Sequence, residues 1–395
     1  MGGVRRFIGV AERRTRLALR QRLAGPARAR TPEEVAGSLV ALHGTDPATV
    51  YLAVGARLAD PARTVAETGR ALYEDRSLVR MHGMRHTVFV FPTALTAVVH
   101  ASTGLAVAAR ERAALLKDMA TAGAPDAAWL KEVEESALAA LARRGQATAA
   151  ELARDEPRLR EQFVYAAGKR YEGVHTVSTR LLRVLGVEGK VVRGRPLGSW
   201  TSSQFRWAVA PEHPELDAAR AQAELLRRWL AACGPATEDD LKWWTGWRVT
   251  EVRGALAAIG AEPVSLDEGT GYVAEGDDGP PGDIDEPWAA LLPGLDPTAM
   301  GWQQRDWYLA PELRPRLFDR SGNVGPTVWW NGRVVGGWAQ RPGGEIVWRV
   351  LDEEGVGRDA HAAIEREAER LTGWLGTTKV TPRFRTPLEK ELAAG

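Results

Sequence analysis

Gly145-Gln146-Ala147-Thr148-Ala149-Ala150-Glu151-Leu152 and Gly234-Pro235-Ala236-Thr237-Glu238-Asp239-Asp240-Leu241 are two versions of one local instruction. Each is a turn, then a threonine suited to cap a helix, an acid three residues on, and the first apolar residue of that helix. Each follows a run with helical periodicity, about 126–143 and about 213–232. Each leads through a further helix into two short β-like runs. A helical unit that ends in a hairpin and occurs twice implies tandem winged helices, in which the hairpin flanks a recognition helix.

In the first copy the recognition helix spans about 174–186, with Val177, Leu181 and Leu185 inward. The wing pairs Lys190-Val191-Val192-Arg193 with the run from Trp200 to Trp207. Lys190, Arg193 and Arg195 then stand where a wing meets a phosphate backbone, and Lys169-Arg170 add charge before the helix. In the second copy Val249 to Ile259 is the recognition helix and about 263–274 the wing. Asp267 and Glu268 make that wing a poor DNA contact, so this copy is structural. The N-terminal region reads as a third, degenerate unit that ends in the strand-like run Thr87-Val88-Phe89-Val90-Phe91.

Gly276 to Pro287 is a linker rich in Gly, Pro and Asp. Beyond it, Asn331-Gly332 between two apolar runs is a strong hairpin signal. A helix at about 358–374 and a last strand near Val380 complete a β-rich domain. The expected architecture is α+β: units at 1–120, 121–210 and 211–275, then a β-rich domain at 288–395.

Fifty-two basic and 51 acidic residues nearly cancel over the 395-residue chain, so global charge announces no partner. The distribution says more: residues 1–40 carry nine arginines against three glutamates, and residues 262–287 carry nine acids and no base. Such asymmetry predicts one end facing an anion while the acidic segment faces away. A charged surface helix gives the first half of that pattern without a partner. Cys233 is the only cysteine, which excludes an internal disulfide and a thiolate cluster. No run is long and apolar enough for a membrane span, and the start lacks a secretory core, so a cytoplasmic location is expected.

Candidate chemistry is sparse. His82 and His86 are four apart, but Gly83 and the following β-like run argue against a shared helical face, and no acid completes a metal site. No nucleotide-binding glycine loop and no Gly-x-Ser-x-Gly elbow is present. His43-Gly44-Thr45 differs, because it sits in a short gap between two expected helices. Thr31, Pro32 and Glu34 start the first, and Asp46-Pro47 starts the second, with Val50, Val54 and Leu58 on its apolar face. An imidazole and a hydroxyl two residues apart can grip one water. The same segment also reads as an ordinary polar loop, and Asp46 as an ordinary cap. Most of the fifteen tryptophans suit packing, with one or two able to stack on a base.

The run Leu42-His43-Gly44-Thr45-Asp46-Pro47, with Tyr51-Leu52 and Ala56-Arg57-Leu58, resembles the catalytic segment of the bacterial winged-helix DNA glycosylases related to the azinomycin-resistance enzyme AlkZ. Met84-Arg85 with Thr87 is similar to that family's Met-Arg-x-Thr strand. The likeness continues through Gly168-Lys169, Arg193-Gly194-Arg195, Gly198-Ser199-Trp200, Gly234 to Thr237 and Trp243-Trp244. It resumes at Leu292 to Pro297 and ends at Pro382-Arg383-Phe384. By position His43 replaces the first Gln of the family's catalytic motif and Thr45 its last Gln or Asp.

The resemblance implies hydrolysis of the N-glycosidic bond of an alkylated purine in duplex DNA, for repair or for self-resistance to a DNA-damaging natural product. His43 and Thr45 would hold the water and Asp46 would stabilise the sugar cation. Arg85, Lys169, Lys190, Arg193 and Arg195 would contact DNA. The enzyme would act as a monomer, without metal or cofactor, in association with the nucleoid. The alternative is a non-catalytic winged-helix DNA-binding protein or regulator.

Overall fold

The computed structural model describes residues 5–166, 168, 170 and 172–395, so Lys169 lies outside the described residues. Helices and strands are mixed along the chain in an α+β arrangement. Thr148 Oγ1 accepts from Glu151 N at 3.1 Å, and the Glu151 carboxylate accepts from Thr148 N at 2.8 Å. Thr237 and Asp240 repeat the exchange at 3.2 and 3.1 Å. These reciprocal bonds satisfy otherwise orphaned N–H groups and start the helices Ala149–Asp155 and Glu238–Thr245.

Each of these helices follows a long one, Ala127–Arg144 or Ala218–Cys233, and a two-residue strand, Gln146–Ala147 or Ala236–Thr237. Each continues into a third helix, Val177–Val187 or Val249–Ala258. A hairpin follows, Val191–Pro196 with Phe205–Val209 or Glu262–Leu266 with Gly269–Val273. In both copies the two-residue strand pairs with the second hairpin strand, so the strand order is the same. The first copy departs from expectation at 174–176. Gly173–Thr176 is a strand paired with Gln162–Tyr165, and Thr176 caps the helix only from Val177 onward.

The N-terminal region shows that order a third time. Strand Leu42–His43 precedes helices Pro47–Gly55 and Thr64–Tyr73 and pairs with Val88–Pro92, which forms a hairpin with Leu78–His82. The segment read as a helix–helix loop is therefore a strand end. In the later units the capping threonine adjoins or closes the short strand; here Gly44 and Thr45 separate His43 from the cap, Asp46. Gly44 N donates to the Val88 carbonyl at 2.8 Å. A Cβ on Gly44 would lie 3.2 Å from that same oxygen, so the close approach of two backbones favours glycine.

Beyond the linker, strands Ala289–Leu292, Thr327–Trp330, Arg333–Gln340 and Ile346–Val350 form an antiparallel meander. Asn331 and Gly332 turn it with φ of 45° and 80°, the left-handed pair that a tight hairpin requires. Helix Arg358–Leu375 lays Ala360, Ile364 and Leu371 on Val328, Val335 and Trp338. The strand expected near Val380 does not form, because Val380 N is taken by the Gln340 side chain at 2.7 Å. Helical residues outnumber strand residues in this part of the chain. Trp229 of the third unit shares one core with Trp302 and Trp329.

The two charge blocks do not face different partners. Arg13 binds Glu268 at 2.6 Å, and Arg20 binds Asp277 at 2.6 Å. Arg16 is buried between Glu12 and Asp277. Three of the nine N-terminal arginines are thus paired with the acidic segment, and these pairs hold the chain's start onto the third unit.

A second ion pair is fully buried. Arg57 donates to Asp296 at 2.9 and 2.7 Å, to Thr298 Oγ1 at 2.7 Å, and to the carbonyls of Gln21 at 3.0 Å and Ala53 at 2.9 Å. All five guanidinium N–H groups are engaged. Arg57→Met, which strands the Asp296 carboxylate, is expected to lower unfolding free energy by about 3–5 kcal/mol, and adding Asp296→Leu to recover part of it. Urea denaturation of the three proteins checks this; an equal or larger loss in the double variant would refute it.

Candidate active site

His43 packs edge-on against Phe89, with ring centroids 5.3 Å apart. Its Nδ1 is sealed from solvent without a partner. Nε2 is not sealed, and among the described residues nothing bonds it, so it is the nitrogen open to a water. Burial, reinforced by Arg85 and Arg80, lowers the imidazole pKa to about 4. His43 is therefore neutral at physiological pH. A base this weak serves only a water that becomes strongly acidic as it bonds to an electron-poor carbon.

Thr45 is partly exposed, and among the described residues its hydroxyl makes no hydrogen bond. Asp46 is buried with both oxygens engaged: one caps the helix by accepting from Ala48 N at 3.0 Å, the other accepts from Arg383 N at 2.9 Å. Asp46 thus fixes the segment at both ends of its carboxylate. From the opposite side, the buried Arg80 guanidinium donates to the Gly44 carbonyl and at 3.5 Å to that of Thr45. Sequence reasoning missed Arg80, whose partners are backbone carbonyls that carry no sequence signature.

His43, Arg85 and Thr87 line one wall of a cleft of about 540 Å³; Trp243, Met300, Gln303, Arg305, Arg314, Phe318 and the 321–323 turn line the rest. Thr45 is not among the lining residues. The volume lies within the range of small-molecule sites. Arg85 stands on a left-handed residue, φ 52°, in the turn between two strands. Its guanidinium lies 4.1 Å from the Trp243 ring, and that of Arg305 lies 5.2 Å from it. Partial enclosure and the charge of Arg305 lower the Arg85 pKa to about 10.

The basic wing is placed differently from a free hairpin. Arg193 lies half-buried with its guanidinium 4.6 Å from the Phe205 ring, its pKa lowered to about 9 by burial and by Arg80, Arg383 and Arg183. Arg195 is exposed, pairs with Glu74 at 3.0 Å and lies over Tyr73. Lys190 is held by Glu134 and, at 3.1 Å, by Glu188, so its charge is balanced within its own unit. The structure thus brings Arg85 to His43 but leaves Lys190 and Arg195 on other surfaces. Arg305 and Arg314 join the cleft from more than two hundred residues away, which no local pattern could announce. Among the described residues no group of three His, Cys, Asp or Glu is placed to hold a metal ion.

Three repeated helix-plus-hairpin units, joined to a sheet-and-helix layer around a cationic cleft with a neutral imidazole, define a candidate hydrolase of an anionic polymer. The family model described as "DNA glycosylase AlkZ-like" matches residues 36–374. That is most of the chain, and the chain belongs to this family of DNA glycosylases. The solved structure of Streptomyces sahachiroi DNA glycosylase AlkZ has the same fold, with a TM-score of 0.68 at 21% identity, over 92% of this chain and 96% of that one. Among curated proteins none matches the chain. No helix of the described residues is long and apolar enough to cross a membrane.

The lowered pKa makes a stability prediction with a definite sign. The unfolded chain takes up the His43 proton near pH 6.5, the folded one only near pH 4. Stability is therefore lost as pH falls through that window, by at most about 3 kcal/mol, and levels off below it. His43→Gln should flatten this part of the urea-midpoint profile relative to wild type. Identical profiles would show that His43 protonates freely.

Proposed function

We propose that the protein is a monofunctional glycosylase that hydrolyses the N-glycosidic bond of alkylated purines of the N7-alkylguanine type in duplex DNA, including bulky natural-product adducts, in repair or self-resistance. The observation that carries the reading is the neutral His43, with Nε2 open to a cleft and the unengaged Thr45 hydroxyl two residues on, in a chain of this family. Alkylation at N7 makes the base a cation that leaves as a neutral molecule, so little acid assistance is needed. As the C1′–N9 bond breaks, its electron pair goes to the base and C1′ becomes oxocarbenium-like. A water held by His43 and Thr45 bonds to C1′ and passes its proton to Nε2, and from there to solvent. Asp46 sets the segment and supplies a negative charge beside it.

In this reading the three repeated units are winged helices, at 1–120, 121–210 and 211–275, and the part at 288–395 closes the site. Arg85 contacts DNA inside the cleft, Lys190, Arg193 and Arg195 do so along the basic wing, and Lys169, which precedes the recognition helix in sequence, adds a further contact. The protein acts as a monomer on the chromosome in the cytoplasm.

Release of free base from duplexes carrying N7-methylguanine is the direct test. His43→Ala should slow release by about 10²–10⁴-fold with little change in DNA affinity. Thr45→Ala should cost less, and the double variant little more than His43→Ala, since both residues serve one water. His43→Gln should keep activity. With so low a His43 pKa, the wild-type rate should be flat from about pH 8 to 5.5. Borohydride should trap no covalent adduct, because no amine takes part. Tight binding without release would make the protein a reader of damage instead of an enzyme.

Binding should weaken steeply with salt. Arg193→Ala and Arg195→Ala should each reduce the slope of log K against log salt by about 0.9 if each removes one phosphate contact. Unchanged slopes would place the DNA on another face.

A further inference from the structure

The cleft beside His43 has a charge pattern that does not suit the base this enzyme would release. Arg85 and Arg305 form no ion pair among the described residues, and their guanidinium groups make no hydrogen bond to the protein. Arg314 adds a third guanidinium, balanced outside the cleft lining by Asp306. No carboxylate is among the lining residues. Arg305 is buried at 8% exposure, its guanidinium 5.2 Å from the Trp243 ring and 5.5 Å from the Phe318 ring, so its charge is held in place and not merely tethered. Three of the six buried arginines among the described residues are treated otherwise: Arg13, Arg16 and Arg57 each meet a carboxylate.

Two like charges kept together in a partly dry cleft, with up to ten N–H donors unengaged, are stable only because water still reaches them. A purinium cation entering there would add a third positive charge and meet donors where it offers few acceptors. A phosphodiester does the opposite, since its two non-bridging oxygens accept from planar guanidinium forks and its charge offsets theirs.

We infer that this cleft binds a backbone phosphodiester of the lesion strand, gripped by Arg85 and Arg305 with Arg314 at its rim, and that the alkylated base lies elsewhere. The inference rests on the glycosylase reading and refines it. Because His43 shares the wall, the phosphate registers the damaged nucleotide so that C1′ comes to the water on Nε2. Arg305 and Arg314 act here as positioning residues.

The test uses duplexes containing one 2′-fluoro-N7-methylguanosine, whose fluorine slows excision, with single phosphates near the lesion replaced in turn by uncharged methylphosphonate. Wild-type affinity should fall by roughly 10–100-fold at one position, as expected for loss of hydrogen bonds between charged groups. In Arg305→Gln the same replacement should cost at least about threefold less than in wild type, because one of its two main partners is already gone and only the Arg85 share remains. Arg314→Gln, at a more exposed side chain, should show a smaller coupling at that position and guards against misfolding of the first variant. Equal losses in all three proteins, or no sensitive position, would overturn the inference while base release still upholds the glycosylase. Tighter binding of the charged lesion by Arg305→Gln would overturn it too, since relieved repulsion would put the base in the cleft. Failure of wild type to bind or excise on any duplex would remove both readings together.

Discussion

The buried pair Arg57–Asp296 is the constraint on which the geometry of the site depends. The pair and its partners come from three stretches of chain: Gln21 just after the helix Val10–Arg20, Ala53 and Arg57 in and after the helix that follows His43, and Asp296 and Thr298 beyond the linker. Thr298 in turn donates to the Gln21 side chain, which reaches Cys233 Sγ at 3.4 Å. Charges withdrawn this far from water are tolerated only when every donor is matched. Any shift between the N-terminal unit and the C-terminal layer would break several bonds at once. The helix Pro47–Gly55 is accordingly buried on all sides, with Ala48 and Leu52 against one layer and Val50 and Val54 against the other. Its capping end, Asp46, inherits that rigidity, and His43 lies three residues upstream.

Arginine is used in two opposite ways. At Arg57 the guanidinium is matched completely and serves as a clamp. Around His43 and His82 it is left short of negative charge, at Arg80, Arg85, Arg193 and Arg305, and the imidazoles respond. His43 falls to about pKa 4 and His82 to about 3, with burial the first cause and neighbouring arginines the next. Neutral histidines beside unmatched cations are what a site needs if it is to draw in a polyanion and still keep an imidazole lone pair available. A field able to draw in a polyanion thus adds to burial in keeping His43 deprotonated.

How much of this was legible follows from where each signal resides. Capping boxes at Thr148 and Thr237 and the Asn331-Gly332 turn are local chemistry, and they appear where the residues put them. Strand Leu42–His43 was not legible, because two residues carry no periodicity and the partner, Val88–Pro92, lies some forty-five residues on. Val380 was misread for the reverse reason: the β-branched run Thr377-Thr378-Lys379-Val380-Thr381 resembles a strand, but Gln340 captures the Val380 N–H. The neutralisation of the N-terminal arginines by residues 268 and 277 is likewise a tertiary event between blocks that sequence alone treats as independent. His43 could be singled out as a candidate from its residue type and neighbours. Arg80, Arg305 and Arg314 could not, since only the fold brings them beside His43 and its segment.

With the N-terminal unit counted as the first of three copies, the repeated unit also explains why the candidate chemistry sits in that first copy. In the second and third copies the threonine at the strand-to-helix junction is the cap. Its hydroxyl is committed to a backbone N–H and a carboxylate, and no side chain at the junction is left over. In the first copy the cap is Asp46, which satisfies Ala48 N and Arg383 N by itself. The two additional residues, Gly44 and Thr45, extend the backbone along Val88 while relieving His43 and Thr45 of any capping duty. Separation of the capping group from the groups beside it turns a structural junction into one with a free imidazole nitrogen and a free hydroxyl. The glycine required by the close backbone approach is what lets those two residues be inserted without disturbing the sheet.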